Sequence, residues 1–238
     1  HSVTDDPVPG TRGLSVSPAM FDDQLAVLDE LGLTTLTFRE LTAALGGSRS
    51  LPARPVVLTF DDGYADFHRE ALPLLQRHGH RATVFVTTGW VQDAGDAAAG
   101  RPLDRTMSWG TIRDCAAQDI EIGAHSHSHP QLDQLGDRSL AHELRASKAL
   151  LEEHLDHEVA TVAYPFGYSS ARVRAAVAAA GYRSAASVSN TVATVGVDPF
   201  AVPRLTVRRS TSTRTFARLL EQRDLSTIFL RDRLLTTG

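Results

Sequence analysis

The chain has 238 residues, and its 24 basic and 28 acidic side chains give a formal net charge of -4. This balance provides neither a basic footprint for a nucleic-acid backbone nor a polybasic patch for a membrane surface, so nucleic acid is not expected as a partner. No apolar run approaches the roughly 20 residues that a membrane-spanning helix needs, and the length suits one α/β barrel or two small domains.

The start of the chain and its cysteine content give little information about the compartment. No signal peptide is recognisable, but the chain opens on His1 rather than Met, which indicates a processed or truncated sequence. Cys115 is the only cysteine, so no internal disulfide can form. Its neighbours predict a small buried helix residue.

Two helices are predicted at the start of the chain, the first of them from capping and periodicity. The first begins at Ser17-Pro18, a cap followed by a first-turn proline, and its apolar residues recur at helical spacing until Gly32. A short second helix is expected over 38–45. Strands and helices then alternate along the chain. The predicted strands cover 56–60, 82–86, 120–124, 159–164 and 182–187, and the predicted helices cover 73–78, 111–118, 139–155 and 171–180.

This alternation predicts a parallel sheet that is either closed as a barrel or doubly wound. No composition shift marks a domain boundary, so residues 1–238 are expected to form a single domain. The segment 92–105 is rich in Ala, Asp and Gly. It is expected to be a surface loop that shapes a substrate cleft, or else an insertion without that role.

Three segments that carry chemistry directly follow predicted strands. They are Thr59-Phe60-Asp61-Asp62-Gly63, His125-Ser126-His127-Ser128-His129 and Tyr164-Pro165-Phe166-Gly167. In a barrel, the carboxyl ends of the strands meet at one face, so these segments are expected to converge there. One Asp and two His form a three-ligand set with an open position, which is typical of a catalytic metal site.

In this order, the segments resemble those of the polysaccharide deacetylases of the NodB-homology type, carbohydrate esterase family 4. The match covers residues 59–63, 121–130 and 164–167. The resemblance implies an α/β fold, a distorted (β/α) barrel of about seven strands. It also implies a metal-dependent hydrolase that removes acetyl groups from N-acetylated sugars in a polysaccharide, and a secreted or cell-surface location.

The resemblance implies that Asp61 is the catalytic base and that Asp62, His125 and His129 hold one divalent metal ion. The residue chemistry agrees, because a cation on Asp62 absorbs one of two adjacent negative charges and allows Asp61 to remain ionised. Two His and a carboxylate favour zinc, and they also suit cobalt or nickel. Alternation along the segment predicts that His127 faces solvent.

Two positions depart from the usual family pattern. Ala163 stands where the family commonly has an Arg, and Arg204 is the best replacement for the charge that orients Asp61. The family's last motif ends in a His near the C-terminus, yet the final histidine here is His157. One branch, which includes poly-N-acetylglucosamine deacetylases, carries this His on an N-terminal strand. By that resemblance His1 is the candidate general acid, and otherwise it is a disordered terminus or a tag remnant.

The remaining candidates concern the substrate. The backbone N–H of Phe166 is the candidate oxyanion donor, because such a role needs a rigid backbone rather than a special side chain. Tyr164, Trp109 and Tyr168 are candidate substrate contacts, although Trp109 and Tyr168 could equally be core aromatics. The other histidines are expected at solvated surfaces, namely His68, His78, His80, His142, His154 and His157.

Two other functions remain open for the same chain. One is an esterase that removes O-acetyl groups from a glycan with the same residues. The other is a glycan-binding pseudoenzyme, which Ala163 and the uncertain general acid would favour. The sequence leaves the sugar polymer, its chain length and the oligomeric state open.

Overall fold

The computed structural model describes residues 1–230. The strands are β1 (Ser2–Val3), β2 (Ser15–Val16), β3 (Thr34–Leu36), β4 (Pro55–Val57), β5 (Thr59–Phe60), β6 (Ala82–Val86), β7 (Ile120–Ala124), β8 (Thr161–Ala163), β9 (Ser184–Val188) and β10 (Val202–Arg204). The α-helices are α1 (Pro18–Glu30), α2 (Phe38–Leu45), α3 (Leu72–His78), α4 (Trp109–Ala117), α5 (Asp137–Leu155), α6 (Ala171–Ala179), α7 (Thr213–Leu220) and α8 (Leu225–Ile228).

Six parallel strands form a curled sheet in the order β10-β9-β8-β7-β6-β5, and helices pack around it. Two small parallel sheets, β1-β2 and β3-β4, complete the fold. The architecture is a distorted (β/α) barrel, as predicted, and the expected number of about seven strands is close to the six of this sheet. Strands β5 and β10 are its two edges and do not pair with each other, so the barrel is open along one seam.

Local capping explains where the first helices begin. The Ser17 hydroxyl accepts a hydrogen bond from Met20 N (3.1 Å), with Pro18 in the first turn of α1. Thr37 and Glu40 form a reciprocal capping box at the start of α2, with distances of 3.0 and 3.3 Å. The first helix was predicted from its cap and both helices were predicted at these positions, while α3 to α6 lie within one or two residues of the predicted bounds.

The largest difference from the sequence prediction concerns residues 56–60, which form two short strands rather than one. The chain leaves its partner β3 after Val57 and pairs with β6 from Thr59. This break turns Thr59 and Phe60 into the edge of the central sheet. The periodicity did not indicate β2, β10, α7 or α8, because these elements are short and two of them are strands of only two or three residues.

The core lies between the central sheet and its helices. All five residues of β6 are buried, and Cys115 on α4 is fully buried, as predicted. Burial raises the pKa of the Cys115 thiol to about 12. A cavity of about 520 Å³ is lined by residues of both edge strands, with Asp61 and Arg204 among its polar groups. Among residues 1–230, no helix is both long and apolar enough to cross a membrane.

Candidate active site

The three predicted segments meet at the carboxyl end of the barrel, where β5, β7 and β8 end. Asp62 Oδ1 lies 3.5 Å from His125 Nε2 and 3.4 Å from His129 Nε2. These three side chains form a group that could hold a metal ion, with all ligand atoms within 4.8 Å of one another. The structure therefore brings together the three residues that were predicted to be ligands.

The donor set fits a divalent cation for two reasons. Asp62 Oδ1 is buried and has no hydrogen-bond partner among the described residues, which is costly for a carboxylate oxygen unless a cation lies beside it. His125 Nδ1 donates to the carbonyl oxygen of Ala163 at 2.9 Å. Since a carbonyl only accepts, this bond keeps the proton on Nδ1 and leaves a lone pair on the Nε2 that faces Asp62.

His129 is also in the form that a metal ligand needs. Burial, followed by the neighbouring His125, lowers the pKa of His129 to about 4. Its ring lies 4.8 Å from that of Trp90 and 4.9 Å from that of Phe166, so two aromatic rings pack against the imidazole. At neutral pH this side chain is therefore a neutral, well-packed imidazole.

Four of the ten non-glycine residues that have a positive φ in the described part of the chain lie around the cluster. Asp62, Ser126, His129 and Phe166 have φ values of 75°, 63°, 62° and 61°, in the left-handed region that non-glycine residues rarely occupy. Such conformations cost of order 1–3 kcal/mol each and persist only where the surroundings enforce them. Their clustering at one end of the barrel supports a functional role for this end.

Glu143 on α5 holds the histidine segment in place. Its Oε2 accepts hydrogen bonds from the backbone N–H of His127 (2.9 Å) and of Ser128 (2.8 Å), and its Oε1 accepts from the Ser128 hydroxyl (2.5 Å). Ser126 Oγ in turn accepts from His129 N at 3.0 Å. Sequence reasoning missed Glu143, and the available signal was a charged residue on the buried stripe of α5 beside Leu144.

The prediction that His127 faces solvent is wrong. Its side chain is buried because the segment folds back against α5, and its Nδ1 lies 3.0 Å from Thr88 Oγ1. Burial lowers the pKa of His127. Among the other histidines expected at solvated surfaces, the prediction is also wrong for His80, whose side chain is only 6% exposed.

Arg204 forms a two-pronged ion pair with Asp61. Its guanidinium donates to Asp61 Oδ1 at 2.7 Å and to Oδ2 at 2.8 Å, and one prong also donates to Thr59 Oγ1 at 3.0 Å. Burial alone would raise the pKa of the Asp61 carboxyl, but the Arg204 charge outweighs it and holds the pKa well below its ordinary value. The predicted pairing is present, so the absence of an Arg at Ala163 does not leave Asp61 unpaired.

His1 lies beside both aspartates. Its Nε2 is 4.0 Å from Asp61 Oδ2 and 4.0 Å from Asp62 Oδ2, and the side chain is partly buried. The segment is an ordered strand, contrary to the alternative of a disordered terminus, since β1 pairs with β2 and Val3 N donates to the Asp66 carboxylate. The structure thus brings His1 to the site.

Two of the three candidate substrate contacts are core residues instead. Trp109 is only 5% exposed and stacks on His154 with ring centroids 3.9 Å apart, so it has no free face for a sugar. Tyr164 is 1% exposed, and its hydroxyl donates to the Phe200 carbonyl at 2.7 Å. Both predictions are wrong, because the Trp109 ring at the start of α4 and the Tyr164 ring just after β8 are buried in the core. Tyr168, by contrast, is 50% exposed.

Sequence reasoning also missed Trp90 and Tyr64. Trp90 follows β6 and packs its ring against His129. Tyr64 is buried, and burial together with the Asp62 charge raises the pKa of its phenol, so it remains a protonated donor. The only available signal was their position a few residues beyond a strand end, on the same face as the predicted ligands.

The fold and the site together define a hydrolase of the distorted (β/α) barrel class. Residues 48–185 match the family model described as Polysaccharide deacetylase. This match covers more than half of the chain, and the chain belongs to the polysaccharide deacetylase family.

Individual relatives agree with this assignment. The chain is 24% identical over 212 residues to YxkH of Bacillus subtilis (strain 168), a match that covers 88% of this chain and 72% of the relative. It is 28% identical over 167 residues to the poly-beta-1,6-N-acetyl-D-glucosamine N-deacetylase of Escherichia coli (strain K12). That match covers 67% of this chain but only 25% of the E. coli protein.

Solved structures share the fold. The Streptococcus pyogenes deacetylase PplD, determined in complex with acetate, superposes with a TM-score of 0.82 at 22% sequence identity. The superposition covers 92% of this chain and 95% of PplD. At this identity the likeness establishes the fold alone.

Proposed function

We propose that this chain is a metal-dependent hydrolase that removes N-acetyl groups from N-acetylglucosamine residues of a polysaccharide or oligosaccharide. The observation that carries the proposal is the arrangement of Asp61, kept ionised by Arg204, beside the Asp62, His125 and His129 cluster. The E. coli relative, which is named as a deacetylase of such a polymer, supports the choice of sugar.

The proposed metal ligands are Asp62, His125 and His129, with zinc as the first choice and cobalt or nickel as alternatives. When bound, such an ion supplies Lewis-acid polarisation of the acetyl carbonyl and makes water more acidic. The hydrogen bond from His125 to the Ala163 carbonyl holds one ligand in the required tautomer. Neutral His129 needs no proton removed before it can bind.

The proton transfers are assigned to two side chains. Asp61 accepts a proton from the attacking water while the water oxygen bonds to the acetyl carbon. The backbone N–H of Phe166, in a strained turn, donates to the oxyanion that forms. His1 gives a proton to the amide nitrogen as the C–N bond breaks, which leaves acetate and a free amine on the sugar. Arg204 orients Asp61 and does not itself react.

The exposed rings of Phe166 and Tyr168 are the proposed sugar contacts. They are 58% and 50% exposed, and the Phe166 ring lies 4.9 Å from that of His129. Flat aromatic surfaces suit the apolar faces of sugar rings. Because the proposed substrate is a polymer, we propose a secreted or cell-surface location. We also propose that residues 1–238 form one catalytic domain.

Product analysis tests the proposal. Metal-loaded protein is incubated with N-acetylglucosamine oligomers and, in parallel, with an O-acetylated xylan, with the Asp61→Asn variant as the matched control. Release of acetate with free amine, absent in the variant, is the expected result. Free hydroxyl groups from xylan alone would establish the esterase instead. No turnover of either substrate would favour a glycan-binding pseudoenzyme.

A further inference from the structure

A second cluster of histidines and aspartates lies where α1 contacts α3. Asp22 and Asp29 belong to α1, His78 ends α3, and His80 follows it. The cluster sits near the amino end of β6, whereas the candidate active site lies at the carboxyl ends of the strands. Nothing in the proposed deacetylation uses these residues.

The distances resemble those of a metal site. Asp29 Oδ2 lies 2.6 Å from His78 Nδ1, and Asp29 Oδ1 lies 3.2 Å from His80 Nε2. The ligand atoms of Asp29, His78 and His80 all lie within 4.8 Å of one another. Neighbouring ligands of a tetrahedral zinc ion stand roughly 3.3 Å apart, given bonds of about 2.0–2.1 Å. Small side-chain movements would therefore place all three on one ion.

The local sequence explains why these side chains meet. Gly79 takes a left-handed conformation with φ of 68°, which ends α3 and turns the chain, and His80 N donates to Leu75 O at 2.8 Å. His78 and His80 thereby face the same side, with their rings within 4° of parallel. Asp22 and Asp29 are seven residues apart on α1, so they lie on one face two turns apart.

One buried atom in the cluster lacks a partner. The His80 side chain is only 6% exposed, and its Nε2 makes no hydrogen bond within the described part of the chain, although Asp29 Oδ1 is 3.2 Å away. The other ring nitrogen, Nδ1, lies 3.5 Å from Thr35 Oγ1. A buried, unpaired imidazole nitrogen aimed at a carboxylate calls for a ligand.

A proton alone does not satisfy this cluster. With a proton on each ring nitrogen, His78 would donate to Asp29 Oδ2 at 2.6 Å and to Asp22 Oδ1 at 2.8 Å and would bridge the two carboxylates. That arrangement still leaves His80 Nε2 unpaired. A cation between His78 Nδ1, His80 Nε2 and the Asp29 carboxylate would satisfy all three. The contact of 2.8 Å between His78 Nε2 and Asp22 Oδ1 then matches the carboxylate that commonly orients a metal-bound histidine.

We propose that Asp29, His78 and His80 form a second divalent-metal site, suited to zinc or a similar ion with imidazole preference. Asp22, which also pairs with Arg77, accepts from Nε2 of His78, the ring nitrogen that does not face the proposed ion. The bound ion joins α1 to the end of α3 and stabilises that contact. This site is independent of the proposed catalysis.

Calorimetric titration of chelator-treated protein with zinc alone tests the proposal. Wild type is expected to bind two ions per chain, and His80→Ala one. The matched control is His68→Ala, which should still bind two ions, because His68 pairs with Asp114 (2.5 Å) and no third ligand joins them within residues 1–230. A His80→Ala stoichiometry equal to that of wild type would overturn the proposal.

Further variants distinguish metal binding at this site from binding at the active site, and loss of the site from loss of folding. His129→Ala should keep one ion, and zinc should still raise its melting temperature. If it binds none, the second site does not exist. Should His80→Ala fail to fold, Asp29→Asn provides the same comparison of stoichiometry. Asp22→Asn is expected to keep the site but weaken it about 10- to 100-fold, and unchanged affinity there would contradict the role given to Asp22.

Discussion

Arg204 reaches across the open seam of the barrel to Asp61. It lies on β10, one edge of the central sheet, whereas Asp61 directly follows β5, the other edge, and two hydrogen bonds of 2.7 and 2.8 Å join them. The same guanidinium donates to Thr59 within β5. Because the edges share no backbone ladder, this ion pair both orients the carboxylate and connects the two sides of the opening.

The first prediction concerns Arg204→Gln. Burial raises the pKa of Asp61 and Arg204 lowers it, so loss of the charge should move the pKa upward. Since a base acts only above its pKa, the acidic limb of kcat/KM should shift to higher pH. Arg204→Lys keeps the positive charge but lacks the planar guanidinium that makes two hydrogen bonds. It should therefore restore the acidic limb to its wild-type pH, but not the full rate. The control is Arg174→Gln, which removes a pairing with Asp198.

Arg204→Gln should also lose stability. Breaking a buried ion pair by removing one partner typically costs about 3–5 kcal/mol. Denaturant unfolding at neutral pH measures this loss. If folded Arg204→Gln shows the same acidic limb of kcat/KM as wild type, Arg204 does not set the pKa of Asp61.

The second prediction separates His129 from His127. His129→Ala should lower the metal content by one ion per chain relative to wild type, because it removes a ligand. His127→Ala should retain the wild-type metal content. It should nevertheless lower the free energy of unfolding by about 1–3 kcal/mol, since His127 is buried and contacts Thr88. Elemental analysis and thermal melts check both; equal metal loss in the two variants would mean that the ligands are wrongly assigned.

The third prediction concerns Asp61→Asn, which keeps nearly the same shape but cannot accept the proton. Turnover should fall about 10²- to 10⁴-fold, the usual contribution of a general base. Metal content should stay at the wild-type level, because Asp61 is not among the three proposed ligands. Rates near those of wild type would remove Asp61 from the role of base.

The sequence predicted those parts of the site that depend on local signals. Asp62 stands two residues after β5, and His125 directly follows β7. Because strand ends converge by topology, their meeting followed from the alternation of strands and helices. Arg204 was found from the missing charge at Ala163. Tertiary packing decided the rest. Nothing local distinguishes a tryptophan that lines a cleft from Trp109, which stacks on His154 of the next helix, α5.

The fourth prediction tests a residue that only the structure revealed. Glu143→Ala removes the carboxylate that accepts from the N–H groups of His127 and Ser128. The histidine segment should loosen, and affinity for the active-site metal should fall about 10-fold or more. Glu153→Ala, at an exposed position on the same helix, is the control. Metal titration compares the two, and equal affinities would show that Glu143 does not hold the ligands.

The last prediction is that His1 is the general acid and that Asp66 positions it. Asp66 accepts from Val3 N and thereby anchors β1, which carries His1 to within 4.0 Å of both aspartates. Asp66→Ala removes the acceptor and should lower kcat with metal content unchanged, whereas Asp66→Asn keeps a carbonyl acceptor and should be milder. In a chain extended upstream, His1→Ala should cut turnover of an N-acetylglucosamine oligomer strongly, because the departing amine must be protonated. The assignment fails if His1→Ala turns over at the wild-type rate, and a loss of metal in that variant would instead point to a structural role.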